Sequence, residues 1–409
     1  MIKKVKVSDL RPKMYIDDLN CSWRNHPFLR NCFMLESERD IEKIIEYGIT
    51  HVYIDTSQGL DVYNVPSGEE VCQIQDNKSL EMSVSLTRSE PKLVPIEKEL
   101  IQAKRIYKEA CTIVNATLQD CRLGKQIELE KLEPVVLAIA ESIFRNPDAI
   151  VSLLRIKQAD SYTFQHSVAV GTLLISFCVS MKDRSSIEQV GIGGFLHDIG
   201  KMKVPEQILN KAGKLDDREF GLMKQHVQFG CEIIEKIEGI SPISISIVAE
   251  HHERYDGSGY PHGLKGDEIS PYGQMASIID VYDAMTSTRV YHASIEPTEV
   301  IKKLLEWRGH QFNSKLVQYF IRTIGIYPVG SLVKLESGYL AVVVDQHHEN
   351  LLHPRVRIIF NIHTRSYIFP KDFDLSKPNS GHHRIVSFEI PARWGINPTH
   401  YMGFGLRIS

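Results

Sequence analysis

No run in this 409-residue chain reaches the roughly 18 uncharged apolar residues that a membrane helix needs. The longest, Val168 to Met181, covers fourteen residues and is interrupted by Gly171, Thr172, Ser176 and Ser180, so it reads as a core helix. Charge of either sign is also not in excess. The 48 Lys and Arg against 51 Asp and Glu leave a net charge of −3, which argues against a protein that coats nucleic acid or an anionic membrane. That balance leaves room for a small, locally basic pocket. Cysteines are few: seven, odd in number, widely spaced and without a C-x-x-C pair. This excludes a disulfide framework and a zinc ribbon, and suits reduced thiols in the cytoplasm. Cys178 and Cys231 fall in apolar helical patterns, as small buried hydrophobes do. The N-terminal residues show neither an apolar stretch nor a small-residue cleavage site, so no signal peptide is expected. No repeat of 20–50 residues appears, and no heptad pattern persists for three turns.

What is present is an apolar fraction of 43%, too high for disorder in the bulk of the chain at so small a net charge. Residues 1–65 alternate in short runs such as Val52-Tyr53-Ile54 around a helical stretch from Ser37 to Tyr47, with Ser37 and Asp40 as cap residues; this predicts a small α+β module. Residues 66–93 are mostly polar with neither period, and read as a linker. From 94 to 326 the pattern is helical, as connecting helices over 94–149 followed by a domain over 150–326. Ser185 with Glu188 and Asp216 with Glu219 have capping-box spacing, and Ser241 precedes Pro242 at a first helical position. From residue 327 to 409 the runs are of β type, predicting a small β domain. The expected class is mainly α, with small mixed and β modules at the two ends.

Seven of the 17 histidines lie between residues 166 and 292, close to what an even spread would give, so their number decides nothing. Their context does. His166 shares a helical face with Tyr162, Val170 and Leu173, and His226 lies among Leu222, Met223 and Ile233. Each alone is an ordinary core histidine. The pairs His197-Asp198 and His251-His252 each close a helical stretch, and Asp280 sits in the apolar run Ile278-Ile279-Asp280-Val281-Tyr282. A buried carboxylate without a partner costs several kcal/mol, so Asp280 requires a cation or a dense set of donors. Five helices thus present His or Asp toward a core. Imidazole with carboxylate is the ligand chemistry of Fe, Mn, Zn or Ni, and six or seven ligands suit two ions sharing a carboxylate.

The run Phe195-Leu196-His197-Asp198-Ile199-Gly200-Lys201 resembles the HD-superfamily signature. With His251-His252-Glu253, Gly259-Tyr260-Pro261 and Asp280-Val281-Tyr282-Asp283, it resembles the HD-GYP phosphodiesterases, bacterial enzymes that hydrolyse cyclic di-GMP. The resemblance covers about residues 150–325 and implies an all-helical catalytic domain. It also implies that His166, His197, Asp198 and Asp280 hold one metal ion and His226, His251 and His252 a second, with Asp198 bridging. Lys201 would neutralise charge on the phosphoryl oxygens, and Arg289 would contact phosphate. The metal would be Fe or Mn, with Ni and Zn as other candidates. The products would be pGpG and GMP. The glycine-rich loop from Glu253 to Pro271 would offer a contact for partners such as diguanylate cyclases, and a homodimer is compatible. Residues 1–65, through Val7-Ser8-Asp9-Leu10-Arg11-Pro12, Trp23, His26-Pro27-Phe28 and Val52-Tyr53-Ile54-Asp55-Thr56, resemble the uncharacterised module that often precedes this domain.

Three positions depart from the family pattern. Tyr162 stands where some members carry a Glu for a third metal, which predicts a two-metal site. Gln274 and His292 replace basic residues and leave substrate affinity or guanine preference open, so cyclic GMP-AMP is an alternative substrate. A module that binds the dinucleotide or a cyclase without turnover, and a nucleotide monophosphatase, are the readings of other classes. Gly200-Lys201 is no P-loop, since Phe195 and Met202 occupy its required Gly and Ser/Thr positions. Gly191-x-Gly193-Gly194 lies within a helical stretch and predicts close helix packing. The pairs His347-His348 and His382-His383 lie near turns and read as surface features.

Overall fold

The computed structural model describes residues 2–18, 33–35, 37–46, 49, 51–56, 58–60, 94–154, 162–211, 213–287, 295–347, 350–377 and 383–402. They belong to two compact units, one within residues 1–87 and one within 88–409. The expected linker over 66–93 lies outside the described residues, as do Trp23, His26, Pro27 and Phe28.

In the first unit, strands β1 (Ile2–Lys6), β2 (Tyr15–Asp18), β3 (Phe33–Met34) and β4 (His51–Asp55) form an antiparallel sheet in the order β1-β4-β2-β3. The alternation of β4 sends Val52 and Ile54 inward, where they meet Val5, Ile16, Leu35 and Ile44. The helix Glu38–Glu46 starts where Ser37 donates its amide (3.0 Å) and hydroxyl (3.2 Å) to the Asp40 carboxylate. Both cap residues are those the sequence indicates.

The second unit is built around the helix Tyr162–Ser180, which is buried continuously from His166 to Cys178. A helix apolar all round belongs in a core. Its Thr163–Ser180 stretch is long and apolar enough to cross a membrane, yet 72% of it is buried by its neighbours. The helices Ile96–Arg122 and Leu129–Arg145 pack on it, as does Ile187–Leu196. A Cβ at Gly194 would stand 2.5 Å from Gly171 Cα, and one at Gly191 2.5 Å from Val136 Cγ1. The glycines therefore serve close packing, as their place within a helix predicts, and this contact brings the end of Ile187–Leu196 beside His166.

Helix starts follow the sequence with one exception. Asp216 and Glu219 form the reciprocal capping box, each bond 2.8 Å, and Ser241 accepts the Ile243 amide. The expected box at Ser185 and Glu188 is absent. Ser186 occupies the cap without a side-chain bond to the helix amides, its hydroxyl meeting that of Tyr272 at 2.7 Å, while the Ser185 hydroxyl donates to Asp183 at 3.0 Å. The helices Pro297–Trp307 and Ser314–Ile324 then lead into β5 (Leu332–Leu335), β6 (Tyr339–Asp345), β7 (Arg355–Asn361), β8 (Ser366–Asp374) and β9 (Ile385–Phe388). These pair antiparallel in the order β8-β7-β6-β5-β9. One face contributes Leu332, Leu340, Val342 and Ile359 to the helical core, and the other forms its own cluster around Val333, Ala341, Val343 and Val356. The histidine pairs of this region are not bare surface features. His347 Nε2 meets Asp374 at 2.9 Å and His383 Nδ1 bonds the Ser337 hydroxyl at 2.8 Å, while His348 and His382 lie outside the described residues. None of the described cysteines, Cys111, Cys121, Cys178 and Cys231, forms a disulfide.

Candidate metal centre

Five segments converge beside the central helix. His166 lies on that helix; His197 and Asp198 end Ile187–Leu196; His226 opens the helix His226–Ile234; His251 and His252 close Pro242–Glu250; Asp280 lies within Pro271–Thr286. All are buried except His252, which is half-buried. They form two groups in which the ligand atoms lie within 4.8 Å of one another: Asp198, His226, His251 and His252, and His166, His197 and Asp280. All seven candidate ligands are therefore together.

The hydrogen bonds set the tautomers. Nδ1 of His197, His226 and His251 bonds the backbone carbonyl three residues earlier, at Gly194 (2.8 Å), Met223 (2.7 Å) and Val248 (2.9 Å). A carbonyl only accepts, so each Nδ1 carries a proton, and the tautomer this selects for the neutral ring turns an Nε2 lone pair into the cluster. The Nε2 atoms of His226 and His251 face each other at 3.4 Å, two acceptors with no donor between them. The buried His197 Nε2 and Asp198 Oδ1 have no hydrogen-bond partner among the described residues. Such a set is unsatisfied without a cation. Ligand atoms about 2.1 Å from one ion stand about 3.0–3.5 Å apart for right-angled to tetrahedral arrangements. His166 Nε2 and Asp280 Oδ1 are 3.0 Å apart, and His226 Nε2 and Asp198 Oδ1 3.3 Å. The residues fit divalent metal.

Asp198 joins the groups. Its Oδ1 faces His226 Nε2 and, at 3.8 Å, His251 Nε2, while Oδ2 faces His197 Nε2 (3.3 Å) and His166 Nε2 (3.7 Å). Burial works to raise its pKa, but the Lys201 ammonium beside it is the largest opposing influence and the carboxyl is held well below the usual range. Asp280 is likewise lowered against the effect of burial, chiefly by His166. Burial drives His226 down to about 3 despite Asp198, and drives His252 well down, helped by His251, so both rings are neutral and able to serve as ligands. His166 goes the other way: burial lowers it, yet Asp280 and Asp283 raise it. Positive charge is favoured at that ring, and a metal ion at Nε2 meets the same demand.

The rim joins one contact within the signature to others that spacing does not reveal. Lys201 Nζ donates to Asp198 Oδ2 at 2.5 Å. Tyr260 stacks on His252 with ring centroids 4.7 Å apart, and Lys224 Nζ lies 5.0 Å from the Tyr260 ring and 4.8 Å from that of Phe220. Glu253, 1% exposed, accepts the amides of His262 (2.7 Å) and Leu264 (3.1 Å) and folds the loop back on its start. A bridge from Asp256 to Lys265 and a tight turn at Gly266–Glu268 further order it. Glu253→Gln turns an NH₂ group toward one of those amides and should cost about 1–3 kcal/mol, read as a lower melting temperature. Gln274, which stands where the family has a basic residue, is bonded within the chain. Its amide donates to the Gly266 and Ile269 carbonyls and accepts from Asn313, all at the base of the loop. Arg289 and His292 lie outside the described residues. The spacing Asp280–Asp283 could have flagged Asp283, which shares the helix face of Asp280 and meets His166; Glu253 left no signal of its kind.

Comparison with known proteins gives two family matches: residues 2–132 match a domain of unknown function (DUF3391) and residues 155–316 an HD domain. A cyclic di-GMP phosphodiesterase of Pseudomonas aeruginosa is 37% identical over 408 residues, covering 99% of this chain and 96% of that protein. A 3'3'-cGAMP-specific phosphodiesterase of Vibrio cholerae is 39% identical over 127 residues, 31% of this chain and 24% of that one. Among solved structures, an HDG"Y"P protein from Bdellovibrio bacteriovorus aligns at 18% identity with a TM-score of 0.45, covering 78% of this chain and 98% of that one.

Proposed function

We infer that this chain, which belongs to the HD-GYP family of phosphodiesterases, hydrolyses cyclic di-GMP at a centre formed by His166, His197, Asp198, His226, His251, His252 and Asp280. The observation that carries the reading is the pair of facing Nε2 lone pairs on His226 and His251, with Asp198 turning one oxygen to each group. Likeness to a cyclic di-GMP phosphodiesterase along 99% of the chain supports this substrate over cyclic GMP-AMP, whose enzyme matches 31%.

Two divalent ions, Fe or Mn ahead of Ni or Zn, supply Lewis acidity toward a phosphoryl oxygen and an activated water when bound. The chain does the rest. His197, His226 and His251 are locked by their Nδ1 bonds and offer lone pairs without reorganising. Lys201, whose side chain is 23% exposed, carries positive charge from Asp198 toward the opening and offsets the charge that grows on phosphoryl oxygens in the transition state. Tyr260, backed by His252, walls the opening. Arg289 would bind phosphate bidentately. The exposed outer side of the loop, at Arg254, Asp256, Ser258 and His262, is left for a protein partner such as a diguanylate cyclase. A bacterial second messenger as substrate supports a place for the enzyme in the cytoplasm.

Protein loaded with Mn(II) or Fe(II) should release pGpG and GMP from cyclic di-GMP. Binding without turnover under every divalent metal would replace the enzyme with a non-catalytic binding module, and faster cleavage of 3'3'-cGAMP would reassign the substrate.

A further inference from the structure

His166 is held differently from the other ligand histidines. His197, His226 and His251 each lean on a neutral carbonyl of their own helical turn. His166 Nδ1 instead meets a carboxylate oxygen, Asp283 Oδ2, at 2.7 Å, across 117 residues of sequence. Both partners are buried, Asp283 at 3% and His166 at 2% exposure. Asp283 follows Asp280 by three residues on the same helix, so both carboxylates reach one imidazole from one face. Asp280 Oδ1 lies 3.0 Å from Nε2, and Asp283 lies on Nδ1. The Ser287 hydroxyl approaches the same Asp283 oxygen at 3.4 Å.

We propose that Asp283 is the positioning residue of the centre: it fixes the His166 tautomer and makes the His166, His197 and Asp280 site the tighter of the two metal sites. A carboxylate accepts the Nδ1 proton, which leaves the lone pair on Nε2, and its charge raises the basicity of that lone pair beyond what a carbonyl achieves. The geometry also fixes ring orientation. Asp283 grips one nitrogen while Asp280 shares the metal at the other, and the covalent spacing of the helix holds the two carboxylates in step. The inference rests on the two-metal reading above, and deepens it by making the two sites unequal.

The test is Mn(II) binding by the full chain, stripped of metal and titrated against a competing chelator, for the parent, Asp283→Asn and Asp283→Ala. The parent should bind two ions with distinct affinities. Asp283→Asn keeps the shape and an acceptor but removes the charge, and should weaken the tighter site by about 10-fold; Asp283→Ala should weaken it by about 100-fold. The second site, of Asp198, His226, His251 and His252, should keep its affinity. Electron paramagnetic resonance should show a spin-coupled Mn(II) pair in the parent and an isolated Mn(II) signal in Asp283→Ala at metal levels that fill both parent sites. A merely structural carboxylate would lower the melting point of metal-free protein and leave the affinities unequal as before. Unchanged affinities in both variants overturn the proposal, as does equal loss at both sites in the folded Asn variant. A parent that binds two ions but leaves cyclic di-GMP intact overturns the substrate reading and leaves this one standing.

Discussion

Asp198→Ala should abolish hydrolysis of cyclic di-GMP, by about 10³-fold or more, and leave fewer than one firmly bound metal ion per chain. The reason is that Asp198 does three things at once. Each oxygen faces one group of ligand atoms, its charge would offset two cations bound close together, and Oδ2 takes the Lys201 ammonium at 2.5 Å. Metal-based stabilisation of a transition state is worth several kcal/mol, and about 4 kcal/mol corresponds to about 10³-fold in rate. Without the carboxylate, His226 and His251 have no anion between them and the other group. Lys201 also loses its partner and points its charge at the vacated position. Lys201→Ala separates the roles: it should keep both ions, since Nζ is not a ligand, and lose about 10²-fold in rate through lost charge stabilisation. Metal content by elemental analysis beside a product assay reads both variants. Full activity or two bound ions in Asp198→Ala would refute the bridging assignment.

The cluster of candidate ligands was legible because a polar residue on an apolar helical stripe is a local anomaly. His166, His226 and Asp280 each break a 3.6-residue pattern, and the structure places them together. Helix caps at Asp216 and Ser241 were legible for the same reason: their partners lie two or three residues away. What the local patterns did not reveal were competing partners, near or far. Ser185 has the spacing of a cap, but Asp183 competes for its hydroxyl. Gln274 departs from the family's basic residue, and its amide closes the loop through Gly266, Ile269 and Asn313, the last 39 residues away. His347 finds Asp374 across 27 residues because β8 returns beside β7. The apolar run Leu340 to Val344 does indicate a strand covered on both faces, one of which proves to be the helical core.

Gly200 carries the second large effect, and it joins the signature to the geometry. The residue is not in a left-handed conformation, so its requirement is space alone. A Cβ there would fall onto the His226 carbonyl oxygen and the Gly230 amide nitrogen, both backbone atoms of the helix His226–Ile234. Neither rotates away. Gly200→Ala must push the tight turn Ile199–Lys203 off that helix, at about 3 kcal/mol or more for overpacking against rigid neighbours. The melting temperature should fall by several degrees, on the order of 5 °C or more. Because the turn directly follows Asp198 and the helix begins at His226, the same displacement opens the 3.3 Å approach between their ligand atoms. Metal affinity should therefore fall along with stability. Gly221→Ala is the matching control: it lies on the exposed helix Asp217–Lys224 with nothing within 4 Å of its added carbon. There the change should be neutral or stabilising by up to about 1 kcal/mol, since alanine is the better helix former. Thermal melts with and without Mn(II) compare the two. A Gly200→Ala protein that melts with the parent and gains as much from Mn(II) would show that the turn tolerates a side chain and that contact with the His226 helix does not set the centre.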